Sequence, residues 1–497
     1  MRGRAVGGNA GSWSAKWKLG WGALIGTMIA FAGVGPGNGP VAATTGDLAS
    51  RGSLASTRSA VATPDAGVFA RYIKHVVVFY QENHSFDETL GRFCQLQAPR
   101  CDGYTGPVRL RGGTVVQMRP SSDLVPGVFH TVVAQSAAID GGKMDGWANV
   151  GGCNRSYRYR CLTYYSPDQV PNLTTLAAHF VVSDRTFSMA QSPSWGGHVY
   201  AAAATRDNFT GENPIPAPHV KARIGWGCSS DRVTPWVNPT SHKRYMAPSC
   251  IPARPGMLNS KKYPYNGAFR WTPAKYVPTI FDRLDAKHVS WKLYSSVPYW
   301  SICPSFAECQ YGPQHRHLVP TVKFLSDAKN NRLPAYSVLL PSGPGGTSQH
   351  DPGSMLRGDN WIGKVIATLE HSPEWSSTAV FITYDDCGCF YDHVAPGTNP
   401  DHTRQGIRVP MVIVSPYAKV AYTDSQPATF ASILRFAEKT FGLPALTVND
   451  QYAYDYANSF DFSSPPTGPR ANLSQHPLSA ASLNFLATHT TDTNDPT

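Results

Sequence analysis

The sequence predicts an α/β protein built on a mostly parallel sheet flanked by helices, and three observations carry that prediction. The runs His75-Val76-Val77-Val78-Phe79-Tyr80 and Thr378-Ala379-Val380-Phe381-Ile382-Thr383-Tyr384 are short, β-branched and aromatic, as strands buried on both faces are. Each run is closed at once by an acidic cluster, Glu82-Asn83 after the first and Asp385-Asp386 after the second. Further strand-like runs alternate with stretches of helical spacing, which is the pattern of α/β architecture. In open sheets of this kind ligands gather outside the carboxyl ends of the strands. Oxygen donors placed there suit a divalent cation.

The chain has 497 residues, enough for one large α/β domain with insertions. Hydrophobic residues at 41% and aromatics at 11% exclude a wholly disordered chain. The net charge is +11, which suits anionic substrates or surfaces, although a generally basic exported protein would look the same. No dense Lys/Arg run appears, so no nucleic-acid partner is expected.

In chain order, Arg2, Arg4, Lys16 and Lys18 precede an apolar stretch from about Leu19 to Val34 and small residues ending Val41-Ala42-Ala43. This is the layout of a secretory signal peptide over 1–43; the apolar stretch is short for a membrane span, and an uncleaved anchor is the alternative. The expected location is therefore secreted or periplasmic. The Ala/Ser/Thr/Gly-rich stretch 44–70 reads as a flexible lead, and 71–465 as the catalytic domain. Segment 94–165, rich in Gly, Arg and Tyr with four Cys, reads as a stapled excursion. The ten Cys fall into five close couples; an even number in an exported chain favours disulfides. Local pairing is the simplest arrangement for the first four couples, whereas Cys387 and Cys389 would close a very tight ring.

His179 to Val182 reads as a second strand, and the Ala-rich stretch Val199 to Thr205 as a helix. Segment 210–275, dense in Pro, Gly, Trp, Tyr and Lys, reads as a lid insertion. Ala335 to Leu340 and Val409 to Ser415 read as strands, while Asn360 to His371 and Phe430 to Phe441 have amphipathic helical spacing. The Ser/Thr/Asn/Pro-rich end, 466–497, reads as a loose tail.

Ser194 sits in Ser192-Pro193-Ser194-Trp195-Gly196-Gly197-His198, a turn leading into the alanines. That places it near a helix N-terminus, where free N–H groups favour an anion such as phosphate; a capping serine is the plain alternative. The turn also has half of a nucleophile elbow, which keeps a metal-independent serine esterase in view. His350 follows a strand and a glycine-rich loop, and His130 precedes the loop of Met144-Asp145-Gly146-Trp147. Each is a candidate catalytic histidine or an ordinary structural one. His393 with Cys387 and Cys389 is an alternative zinc set, disfavoured by its spacing.

Together these motifs resemble the bacterial phosphoesterase family that includes secreted phospholipases C and an acid phosphatase. The matching pieces are Gln81 to Asp87 (QENHSFD), Ser192 to His198 (SPSWGGH), Ile382 to Val394 (ITYDDCGCFYDHV), Gly406 to Pro416 (GIRVPMVIVSP) and Ser432 to Leu443 (SILRFAEKTFGL), in the family's order. The resemblance implies an alkaline-phosphatase-like fold. It implies one divalent metal ion, calcium, manganese, magnesium or zinc, held by Glu82, Asn83, Asp385 and Asp386, with Ser194 as nucleophile and His350 and His130 at the phosphoryl or leaving group. The family commonly has Pro-Asn in the nucleophile turn where this chain has Gly196-Gly197, and its longer phospholipases carry further C-terminal domains.

The expected function is a secreted metal-dependent phosphoesterase, in its favoured version a phospholipase C working through a phosphoserine. The expected partners are a phospholipid or small phosphoester substrate and a peripheral contact with a membrane surface. The alternatives are a broad-specificity acid phosphomonoesterase, the serine esterase, and a non-catalytic metal-bound binding protein. Trp226, Trp236, Tyr263, Tyr265 and Trp271 could shape a choline pocket or form the lid's own small core.

Overall fold

The computed structural model describes residues 66–97, 100–219, 221–252, 272–297 and 300–489. The expected signal peptide lies outside the described residues, as does the lead except for its last five positions, which begin a helix at Ala66–Tyr72.

Eight strands form the central sheet: β1 (His75–Gln81), β2 (Val181–Ser183), β3 (Trp291–Tyr294), β4 (Leu318–Val319), β5 (Tyr336–Leu339), β6 (Thr378–Tyr384), β7 (Met411–Val414) and β8 (Tyr422–Asp424). Their order is β4-β3-β5-β1-β6-β7-β2-β8. All neighbouring pairs are parallel except those of β7, which runs against both β6 and β2. The sheet is thus mostly parallel and flanked by helices, as the sequence predicts. β1 and β6, the two runs followed by acidic residues, are adjacent and in register from His75↔Thr378 to Gln81↔Tyr384. Both strands are almost wholly buried, which explains why neither alternates with polar residues.

Four helices position the residues of the sheet's carboxyl edge: α1 (Pro171–His179), α2 (Ser194–Ala203), α3 (Met355–Glu370) and α4 (Phe430–Phe441). The expected strand at His179 begins later than predicted. Pro171 at the first helical turn and the spacing of Leu173, Leu176 and Ala177 carry a helix through His179, and the strand is Val181–Ser183. The excursions are stapled by Cys94–Cys101, Cys153–Cys161, Cys228–Cys250 and Cys303–Cys309, while Cys387 and Cys389 are free and buried. Within 210–252 the insertion forms a small antiparallel sheet of Ile215–Pro216, Arg232–Val237 and Arg244–Pro248. The stretch read as a tail is pinned: Ser474 N–H donates to Asn172 Oδ1 at 3.0 Å, His476 N–H donates to Asn360 Oδ1 at 2.8 Å, and Ala480–Thr488 is helical. No helix among the described residues is long and apolar enough to cross a membrane.

The N-terminus of α1 has no cap of its own, since Val170 offers no side-chain acceptor. Asp359 of α3 supplies one, accepting from Asn172 N–H at 2.9 Å, Leu173 N–H at 2.8 Å and Asn172 Nδ2 at 3.0 Å. Truncation would leave these buried donors unmatched, at a cost of about 2–4 kcal/mol. Asp359→Ala is expected to lower Tm by about 3–6 °C in thermal unfolding; an unchanged Tm would mean that these donors find other acceptors.

Candidate active site

The β1–β6 register delivers Glu82 and Asp385 side by side at the carboxyl edge. The ladder continues one step beyond the strands, with Asp385 N–H donating to the Gln81 carbonyl at 3.2 Å. Asn83 then turns into the left-handed region at φ 62°, a conformation that Asn tolerates better than most residues. The turn lets its backbone N–H donate to Asp385 Oδ1 at 3.2 Å and brings its side chain to the centre of the cluster. Asp386 is fixed by Gly388 N–H, 2.7 Å from its Oδ1.

Ser194 is the first residue of α2 and follows the extended Pro193. Its Oγ lies 3.2 Å from Asn83 Oδ1 and 3.4 Å from Asp386 Oδ2. The next N–H of the helix, Trp195, donates to Asn213 Oδ1 of the insertion at 2.9 Å. The insertion therefore caps the turn that carries Ser194. Opposite, the His130 and His350 rings stand 5.9 Å apart, centroid to centroid. His130 Nδ1 is 3.0 Å from the Val128 carbonyl and His350 Nδ1 is 2.7 Å from the Asp351 carbonyl. A carbonyl only accepts, so each Nδ1 carries the proton and each Nε2 is left to face the centre. The structure thus brings together all seven residues singled out in the sequence, and all seven are buried.

The electrostatics of the cluster are those of crowded like charges. Burial, then the neighbouring Asp385 and Asp386, pushes the Glu82 carboxyl well above its ordinary value. Burial and Asp386 raise Asp385, and burial lifts Asp386 to about 7. The Asn83 amide gives a sharper test of what the cluster would accept. The amide atom facing the carboxylates lies 2.8 Å from Asp385 Oδ1, 3.1 Å from Glu82 Oε2 and 3.2 Å from Ser194 Oγ. With nitrogen there, the amide oxygen must accept from His130 Nε2 at 2.9 Å and His350 Nε2 at 3.2 Å, so both rings must be doubly protonated. With oxygen there, Nδ2 donates to a neutral His130 Nε2 at 2.9 Å, and Oδ1 faces only other acceptors, a crowding that a cation between them would relieve. Carboxylates, an amide oxygen and a hydroxyl are the donor types of a hard divalent cation.

A family model described as the phosphoesterase family matches residues 73–444. The chain belongs to the phosphoesterase family. It is 26% identical over 470 residues to non-specific phospholipase C1 of Arabidopsis thaliana, covering 82% of this chain and 76% of that protein. To phospholipase C A of Mycobacterium tuberculosis it is 25% identical over 480 residues, covering 82% and 81%. A solved alkaline phosphatase superfamily protein from Vibrio parahaemolyticus covers 77% of this chain and 69% of its own, with a TM-score of 0.28 and 12% identity; a likeness that loose carries nothing about the site. The protein is thus a phosphoric ester hydrolase.

One residue of this phosphoesterase's centre was missed in the sequence. His198 Nε2 lies 3.3 Å from Glu82 Oε1 and 3.7 Å from Asp385 Oδ2, within a group of potential ligands formed with those two carboxylates. Burial lowers its pKa against the pull of Asp385, favouring the neutral ring that ligates metals. The signal was its spacing: four residues after Ser194 on a helix is the same face.

The zinc alternative does not assemble, because His393 is engaged by Asp87 at 2.6 Å and Asp102 at 3.1 Å. Of the lid aromatics, Trp226 and Trp236 are buried in the core, and Tyr263, Tyr265 and Trp271 lie outside the described residues. Trp236 and Tyr245 border a cavity of about 500 Å³ that also receives Lys275, a poor setting for a second cation such as choline.

The glycines that replace Pro-Asn in this phosphoesterase have a packing reason. A Cβ on Gly196 would meet Gly211 Cα at 2.8 Å, and one on Gly197 would meet the Asp385 carbonyl oxygen at 2.6 Å. The backbone of α2 thus rests directly on the loop carrying Asp385. Gly197→Ala must displace that loop, so kcat/KM on p-nitrophenyl phosphate is expected to fall by about 10-fold or more with a small change in Tm. Activity within twofold of wild type would show that the loop shifts freely.

Proposed function

We propose that this phosphoesterase is a divalent-metal-dependent phospholipase C, exported from the cell, that cleaves the phosphodiester of phospholipids through a phosphoserine at Ser194. The observation that carries the reading is the placement of Ser194 Oγ at the N-terminus of α2, 3.4 Å from Asp386 Oδ2 and against the Asn83 amide. Glu82, Asn83, Asp385 and Asp386 would hold the cation, with His198 beside Glu82 and Asp385. When bound, such an ion polarises a phosphoryl oxygen and acidifies a nearby hydroxyl.

Ser194 Oγ attacks phosphorus as its proton passes to Asp386 Oδ2. The bond from phosphorus to the leaving alcohol breaks, and His350, doubly protonated, gives that oxygen a proton from Nε2, while His130 stays neutral and accepts from Asn83 Nδ2. Water then attacks the phosphoserine and passes a proton to His350 Nε2, the phosphorus–Oγ bond breaks, and Asp386 Oδ2 returns its proton to Oγ, restoring Ser194. The dipole at the N-terminus of α2 and the His350 imidazolium offset charge on the phosphoryl oxygens. A metal-independent serine esterase would leave the three crowded carboxylates without a role.

Relatives named phospholipase C support the substrate class. The insertion adds exposed Ile215, Ile224, Tyr245 and Met246 with exposed Lys221, Arg223, Lys243 and Arg244, a mixture suited to peripheral contact with an anionic lipid surface. Four disulfides and the basic-then-apolar N-terminus support export.

Hydrolysis of p-nitrophenyl phosphorylcholine and p-nitrophenyl phosphate, each with and without chelator, tests the reading. Preference for the choline diester, abolished by chelation, is the expected result. Preference for the monoester, also abolished, would make the enzyme a phosphomonoesterase; chelator-insensitive turnover would overturn the metal. Ser194→Ala and Asp385→Asn are each expected to lower kcat by about 10³-fold or more with unchanged far-UV circular dichroism. Near-normal turnover in either variant would remove that residue from the mechanism.

A further inference from the structure

Several residues of the shared motifs take no part in the phosphoryl chemistry, and three of them meet at one buried guanidinium. Arg408, in the segment Gly406 to Pro416, is fully buried. Its Nε donates to Asp392 Oδ1 at 2.9 Å, its Nη2 to Asp87 Oδ1 at 3.1 Å, and its Nη1 to the carbonyls of Asp184 at 2.7 Å and Asp102 at 3.0 Å. The Phe86 ring lies 4.5 Å from its Cζ. Asp87 stands four residues after Asn83, and Asp392 six after Asp386. The two carboxylates therefore belong to the two loops that supply Glu82, Asn83, Asp385 and Asp386.

We propose that Arg408 is a positioning residue that clamps these two loops at the separation the cation requires. The inference rests on the proposed metal dependence. Asp87 N–H also donates to Asp392 Oδ2 at 3.2 Å, and His393 N–H donates to Asp87 Oδ2 at 2.8 Å. The loops are thus stitched together at the point where two buried carboxylates would otherwise repel. Arg408 reaches this point because β7 runs against its neighbours, so the residues just before Met411 lie on the edge where β1 and β6 end. The second carboxylate–histidine group among the described residues, Asp87, Asp392 and His393, is already engaged by this guanidinium. Four donors in a planar fork cannot be reproduced by a single ammonium. Lysine at this position keeps the charge and loses the geometry.

The test titrates Ca2+, Mn2+, Mg2+ and Zn2+ in turn by calorimetry into wild type, Arg408→Lys, Asp392→Asn and Arg470→Gln. Arg470 holds the carbonyls of Pro416 and Ala418 beyond the far end of β7, so its variant reports destabilisation unrelated to the two loops. Arg408→Lys and Asp392→Asn are expected to weaken the Kd of the bound cation by about 10- to 100-fold, with kcat restored toward wild type at saturating metal. Arg470→Gln is expected to lower Tm and leave the Kd unchanged. Folded Arg408→Lys protein with a Kd within twofold of wild type overturns the clamp; if that variant does not fold, Asp392→Asn decides by the same criterion. A wild type that binds none of the four cations overturns the metal dependence itself, and the clamp with it.

Discussion

Negative charge gathered out of water at one edge of the sheet governs the design. Glu82, Asp385 and Asp386 are buried at one site, with Asp87, Asp184 and Asp392 buried nearby. Isolated carboxylates in such a place would neutralise themselves or unfold the loops that bear them. The architecture answers with the N-terminal end of α2 and, behind the inner row, with Arg408 and His393. The front row is left undercompensated, which is why burial and mutual repulsion push the Glu82 and Asp385 carboxyls upward.

The parts of this arrangement legible in the sequence were those encoded locally. β1 and β6 could be read almost to the residue because strands buried on both faces show as unbroken apolar runs, and α4 because its apolar face repeats at helical spacing. Local pairing of the first four cysteine couples held because each pair closes a short excursion. Glu82, Asn83, Asp385, Asp386 and Ser194 were legible because each stands directly behind a strand or at the start of a helix.

Features that depend on distant partners were not legible. The start of β2 was misplaced because α1 runs on through His179, and the N-terminus of α1 is capped from α3 by Asp359. The segment after 466 looked loose from its composition, yet the amides of Asn172 and Asn360 fix it to the domain. His198 was passed over although its spacing from Ser194 placed it on the same helical face. Arg408 carried no local sign of its role, because its partners sit on segments joined only in three dimensions.

The long span between the two halves of the centre has a consequence for how the protein comes into being. Asn83 and Asp385 are 302 residues apart in the chain, and β1 has both its sheet neighbours, β5 and β6, in the second half of the sequence. Contacts of such high order form late, because a long loop must close before any of them is rewarded. During synthesis the first strand emerges with no sheet partner, and a chain released before residue 385 lacks both Asp385 and Asp386 of the acidic cluster. The acidic cluster is therefore assembled only when the sheet closes, after β6 has been made.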